Sequence, residues 1–230
     1  GNFGNTSLIV NNSTLSFTQN NTIVFNYNYT GTGDLVQNGT GTTILASNIT
    51  LQGRILVQCG TLDFATESSL FGGDTSQWTA NRILVSNGAT LAVMTGNGAY
   101  GTGFTTSDIT TLLTNLNAPS GGFAAGAMFG IDTSNGNYTL PVAVSNTQQG
   151  ALGLTAMGNH TLFVSGTNTY TGTTTVLGGA TLELQSNTAV STASTVNVNT
   201  NGTLRVDAAN TTLGNVTLSG TLVANASGLN

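Results

Sequence analysis

The chain of 230 residues carries three basic residues, all arginine, against eight acidic ones, for a net charge of -5. Without a lysine or a basic cluster it lacks the electrostatic footprint for nucleic acid or an anionic membrane surface, and no apolar run approaches the roughly 18 residues that a spanning helix needs. Hydrophobic residues at 38% exclude a typical disordered chain, and a polar remainder of Thr, Asn, Ser and Gly favours strands joined by turns.

The first predicted strand is Ser7-Leu8-Ile9-Val10, and Thr14-Leu15-Ser16-Phe17 follows after a short turn. Together they form a phrase: an apolar residue, a turn-like stretch, then Thr-Leu-x-apolar. Ile23, Phe25, Tyr27 and Tyr29 come next and alternate along one predicted strand, so their rings share a face. That face reads as a buried or inter-subunit strip, with Phe25, Tyr27 and Tyr29 as an alternative platform for stacking sugars. The phrase returns at Val57…Thr61-Leu62-Asp63-Phe64 and Val85…Thr90-Leu91-Ala92-Val93. Later copies end in Thr181-Leu182-Glu183-Leu184, Thr203-Leu204-Arg205-Val206 and Thr221-Leu222-Val223-Ala224. Their turns hold residues that reach positive φ at low cost, such as Asn87-Gly88, Gly178-Gly179 and Asn201-Gly202.

Neighbouring positions of the phrase differ in kind. Leu always follows Thr, while the residue after it is Ser, Asp, Ala, Glu, Arg or Val. Alternate residues of a strand face opposite sides, so one face is buried and the other wet. Leu15, Leu62, Leu91, Leu182, Leu204 and Leu222 are therefore the expected core. A longer duplication supports this: Gly39 to Gly60 matches Gly158 to Gly179, and the match resumes at Leu62 and Leu182 after one inserted alanine, Ala180. Units this short bury their apolar face only by stacking on neighbours. Leu182, Leu204 and Leu222 are spaced for coils of about 20 residues, which predicts an all-β fold, a right-handed parallel β-helix. A β-sandwich is the competing architecture, but it gives no reason for one phrase to recur.

Residues 95–150 interrupt the phrase and separate solenoid coils at 1–94 from those at 151–230. Within the interruption Ile109, Leu112, Leu113 and Leu116 form a helical stripe that predicts a short helix over 107–117. Thr106 or Ser107 is the expected cap, Asp108 suits the first turn, and Asn117-Ala118-Pro119 ends the run. The stripe is expected to cover an open flank of the solenoid; a ligand or partner lobe is the alternative.

Gly158–Leu184 reads GNHTLFVSGTNTYTGTTTVLGGATLEL. Through Thr161, Leu162, Asn168, Thr169, Tyr170, Gly172, Thr174, Thr175, Leu182 and Leu184 it resembles the autotransporter-associated β-strand repeat. Gly39–Phe64 is a degraded copy that keeps Thr50 and Gly53 but has Leu51 in place of the tyrosine. The resemblance implies a passenger-type β-helix exported to the surface of a bacterium with an outer membrane, as in the large repeat proteins of planctomycetes and verrucomicrobia. The chain starts at Gly1 without an initiator methionine and reads as a piece of a longer protein.

No residue pattern calls for catalysis, a cofactor or a metal. His160 is the only histidine and Cys59 the only cysteine, the latter near a turn with no histidine to activate it. Asp63 and Glu183 fall at equivalent outward positions about five coils apart, too distant for paired acid–base work. Glu183 and Arg205, 22 residues apart, should meet on adjacent coils. The expected role is therefore that of a surface adhesin element, fibre subunit or rigid stalk, not an enzyme. Strand edges at Leu8 and Val10 and at Leu222 and Val223 would stack head to tail on other copies or on flanking repeats. A glycan-binding module is the alternative, and a β-helix polysaccharide-degrading enzyme the third reading.

Overall fold

Alternation of apolar and polar residues winds the chain into a parallel β-helix. The computed structural model describes residues 8–225 of the chain. Its first coil is β1 (Leu8–Val10), β2 (Thr14–Phe17) and β3 (Ile23–Phe25). The second is β4 (Asn28–Gly31), β5 (Asp34–Gln37) and β6 (Thr42–Leu45), and the third β7 (Ile49–Leu51), β8 (Ile55–Val57) and β9 (Thr61–Phe64). In the fourth, three short 3-10 turns precede β10 (Ile83–Val85) and β11 (Thr90–Met94). The fifth opens with a hairpin, β12 (Asn97–Gly98) and β13 (Gly101–Thr102), continues through helix α1 (Thr106–Asn115), and closes with β14 (Gly122–Phe123) and β15 (Ala127–Asp132).

Later coils hold two strands each: β16 (Tyr138–Leu140) with β17 (Leu152–Met157), β18 (Thr161–Val164) with β19 (Thr174–Val176), and β20 (Thr181–Leu184) with β21 (Val196–Val198). The last described are β22 (Thr203–Val206), β23 (Val216–Leu218) and β24 (Thr221–Ala224).

These strands stack into long parallel sheets. One runs the length of the described solenoid with nine strands, from β3 to β23. A second face carries β2, β5, β8, β10 and β14 and gives way to loops in the later coils. The third carries β1, β4 and β7 at one end and β16, β18, β20, β22 and β24 at the other. Between those two sheets the 3-10 turns and α1 take the strand's place. The turn Phe71–Gly73 packs on β7, and the Tyr138 hydroxyl of β16 lies 2.8 Å from that of Thr106 in α1. Trp78 fills the space left by the missing strand, its indole N–H donating to the Leu70 carbonyl at 3.0 Å and its ring against Phe104. Arg82 ties the same turns to the preceding coil by donating to the Gly53 carbonyl at 2.8 Å.

Coil length follows from these insertions. Ile23 stands opposite Thr43, 20 residues on, but Ile55 stands opposite Ile83 and Leu84 opposite Gly122, 28 and 38 residues on. The interruption in the phrase is thus no break in the sheets, since β14, β15 and β16 of segment 95–150 all join the stacks. The helix starts one residue earlier than expected. Thr105 is its cap, accepting from the Asp108 amide at 3.3 Å while the Asp108 carboxylate accepts from the Thr105 amide at 2.7 Å. Thr106 and Ser107 cannot serve, because this reciprocal box fixes the helix start. The stripe of Ile109, Leu112 and Leu116 is fully buried in the solenoid's core.

Inward positions pack as rows of like residues. Leu62, Leu91, Leu182 and Leu204 are all completely buried. Leu15 is half-buried and Leu222 is 44% exposed, because each belongs to an end coil with a neighbour on one side only. A buried polar set closes one corner: Gln37 donates to the Gly39 and Gly41 carbonyls at 2.9 and 3.2 Å and accepts from the Thr43 hydroxyl at 2.7 Å. At that corner Gly60, with φ of +59°, packs so closely on the carbonyls of Gly39 and Gly41 that a side chain would not fit.

The duplication is out of phase with the solenoid by one face. β8 and β9 lie in the five-stranded and nine-stranded sheets, whereas their counterparts β19 and β20 lie in the nine-stranded sheet and the sheet led by β16. Asp63 and Glu183 are therefore not equivalent; they sit on different sheets.

Candidate functional site

Most of the aromatic strip faces the core. Phe25 in β3 and Tyr29 in β4 are buried and turn inward across a bend of the chain, with Tyr27 half-buried between the two strands. Phe25 meets Phe17, Tyr27 and Tyr29 edge-on at ring separations of 5.3, 5.5 and 6.3 Å. The single strand expected from alternation is instead two strands on different sheets, β3 and β4, and the rings meet in the core between them, packing on one another.

Asn168-Thr169-Tyr170 lies in the loops that replace the second face. The Asn168 side chain accepts from the Val144 amide of the coil before at 2.6 Å and donates to the Ala189 carbonyl of the coil after at 2.6 Å. Tyr170 is fully buried, its hydroxyl 2.6 Å from Thr174, whose own hydroxyl lies 2.8 Å from Ser194. Burial pushes the Tyr170 phenol up to about 12, opposed by the Thr174 hydrogen bond. These residues are staples between coils rather than ligands.

The outward row of the nine-stranded sheet changes character along the solenoid. Val24 stands opposite Ile44, Ile44 opposite Asp63, Asp63 opposite Ala92, and Ala92 opposite Gly130. Gly130 then meets Thr155, and Thr175, Asn197 and Thr217 follow in register. Beside the small residues of this row lies a trough of about 510 Å³, lined by Thr61, Asn87, Thr90, Met128, Thr155, Thr173, Thr175 and Asn197. Gly88, Gly126 and Gly172 leave its walls low. Its polar groups are hydroxyls and amides without a charge, set beside the apolar side chains of Met128 and Leu177, and its rungs repeat at the strand spacing of about 4.8 Å.

Asp63 lies in this outward row and is nonetheless 0% exposed. No N–H or hydroxyl group donates to either of its carboxyl oxygens. Burial first, then the charge of Asp132 and a hydrogen bond to it, raise the Asp63 carboxyl well above the usual carboxylate range. Asp132 is itself buried, with its Oδ1 accepting from the Ser134 amide at 2.7 Å. The sequence offered no sign of this pair, because coils of 29 and 38 residues separate Asp63, Ala92 and Gly130 in the register.

Glu183 and Arg205 are register partners 3.5 Å apart, and Arg205 also meets Asp207 at 3.0 Å. His160 has Nδ1 2.8 Å from the Thr133 carbonyl, and Cys59 is a half-buried free thiol whose amide donates to the Gln37 carbonyl. Among the described residues no group of three or more His, Cys, Asp or Glu could hold a metal ion, and no helix is long and apolar enough to cross a membrane.

At the ends, Leu8 and Val10 prove to point outward on β1, with Ile9 as the inward residue opposite the buried Tyr29. They expose 49% and 62% of their surface. Val216, Leu218 and Leu222 point inward, opposite Val196, Val198 and Leu204, yet remain exposed on the last described coil; Val223 lies outward beside Arg205. No protein-family model matches the chain, and no curated protein or solved structure matches it.

Proposed function

We propose that this chain is a structural element of a bacterial surface protein, a fibre subunit or rigid stalk that stacks head to tail on a second copy or on flanking repeats. The observation that carries the reading is the state of the end coils. Val216, Leu218 and Leu222 turn toward the core and stay exposed at one end, and β1, β2 and β3 are edge strands at the other. None of these five strands, β1, β2, β3, β23 and β24, contains a charge or a proline, the usual devices that stop edges from pairing. The two ends differ, so contact between them is heterologous and propagates as a fibre. The resemblance to the autotransporter-associated repeat supports an extracellular location, and the role needs no catalytic residue or cofactor. Electron microscopy of the purified chain tests it: filaments of solenoid width are expected, and dispersed monomers at high concentration would overturn stacking on a second copy and leave only a stalk continued by flanking repeats.

The trough favours a second reading, a module that holds a neutral glycan along the solenoid axis. Its hydroxyls and amides offer hydrogen bonds without charge, as an uncharged sugar chain requires. Binding on a glycan array that is lost on Thr175→Val would support it; an empty array would remove it and leave the fibre reading untouched.

A further inference from the structure

We propose that Asp63 and Asp132 hold one proton between them beneath the outer cover of the nine-stranded sheet, and that losing this proton loosens the cover around Met94 and the hairpin 95–104. Asp63 and Asp132 flank β11 on its outer face, opposite Ala92 and Met94, and a hydrogen bond joins them. Two ionised carboxylates could not donate it, and both Asp63 oxygens would stay unpartnered in a site closed to water. A proton on Asp63 turns the same contact into a hydrogen bond to Asp132 and removes one buried charge. Asp132 is the natural acceptor, because the Ser134 amide already supports its Oδ1.

The surroundings supply no other means of neutralisation. The chain has no lysine, and its three arginines are engaged elsewhere: Arg54 with Asp34, Arg82 with backbone carbonyls and Gln77, Arg205 with Asp207. Strands on either side of Asp63 present Ile44 and Ala92. The titratable groups of neighbouring elements are Glu67, which packs on Gly73, Tyr100 on the exposed hairpin, and His160, which is turned to the Thr133 carbonyl. Two carboxyls also fall short of the six to eight oxygens that calcium takes.

The cover is bound to the pair through its backbone. The Thr95 amide and hydroxyl both donate to the Asp132 carbonyl, at 3.0 and 3.3 Å, and Asn135 reaches the Gly96 carbonyl at 3.4 Å. Met94 packs with Ala46 and Ala65 in a small apolar cluster on this outer side. Ionising Asp63 places two like charges under these contacts.

Because the folded-state value is raised, the stabilisation is complete below the ordinary carboxylate range and is lost as pH rises through the raised value. Urea melts of the full chain and of Asp63→Asn across pH 4 to 9 test the proposal. In the parent chain the folded-to-unfolded ratio should fall with pH by up to about tenfold per unit, the limit for one proton, while the variant's profile flattens. Hydrogen exchange at 95–104 should accelerate above the transition in the parent relative to the variant. The infrared band of a protonated carboxyl should persist at pH 7 in the parent, a readout that stands even if the variant fails to fold. Absence of that band, superimposable pH profiles, or a stability rise on adding calcium that Asp63→Asn abolishes would each overturn it, the last by making the pair a cation site.

Discussion

Leu182 and Leu222 hold the same place in the same phrase, one on each side of Leu204. Burial separates them. Leu182→Ala opens a cavity between two coils and should cost about 2–5 kcal/mol in denaturant melts, whereas Leu222→Ala removes a side chain already half in water and should cost less than about 1 kcal/mol. Equal losses would show that the end coil is covered in solution. Tyr170→Phe isolates a smaller effect. It keeps the packing but deprives Thr174 of one hydroxyl partner, while the Ser194 contact remains, so a loss of about 0.5–1.5 kcal/mol is expected. Both the leucine and the tyrosine were visible in the sequence as positions of the phrase. What the sequence could not show is how many neighbouring coils each one touches.

At the scale of the element, α1 substitutes for a strand. Hydrogen bonds along the ten-residue helix, with its capping box at the start, occupy backbone groups that a strand would have to pair sideways, so that face needs no strand partner. Its amphipathic stripe keeps the core closed between β7 and β16. Thr105→Ala breaks the capping box and should lower stability by about 0.5–2 kcal/mol, with protection from exchange lost first at 106–109. A loss spread evenly over the solenoid would mean that the helix and the sheets unfold as one unit. The helix was legible from the spacing of Ile109, Leu112, Leu113 and Leu116. Its cap was not, because three successive candidates, Thr105, Thr106 and Ser107, precede the stripe, and only the reach of Asp108 chooses among them.

For the whole molecule, coils that touch only their neighbours predict graded stability. Amides of β23 and β24 should exchange faster than those of β17 and β19, which lie between coils on both sides; uniform exchange would indicate a single cooperative block. Alkaline stability follows from the tyrosines. Burial raises Tyr29, Tyr138 and Tyr170, the last to about 12, so stability present below pH 10 declines as pH climbs through these values. The share of phenolate absorbance that comes from these three tyrosines should therefore rise together with unfolding, not ahead of it. Asp34 acts at the acid end. Burial raises its carboxyl, but hydrogen bonds from the Arg54 amide and guanidinium and the nearby arginine charges outweigh this, so its pKa is lowered. Its contribution is present above the ordinary carboxylate value and is lost as pH falls through the lowered one.

By itself the sequence determined the β-helix, the inward leucines and the meeting of Glu183 with Arg205. Each depends on a period of two within a strand or on a coil of about 20 residues, and both are local patterns. Only the tertiary structure decided which face a given phrase occupies. Coil length depends on how the 3-10 turns, Trp78 and α1 pack into the stack, and a change in that length rotates every later phrase around the axis. For the same reason the structure alone could bury Asp63, an outward residue by alternation, and set it against Asp132.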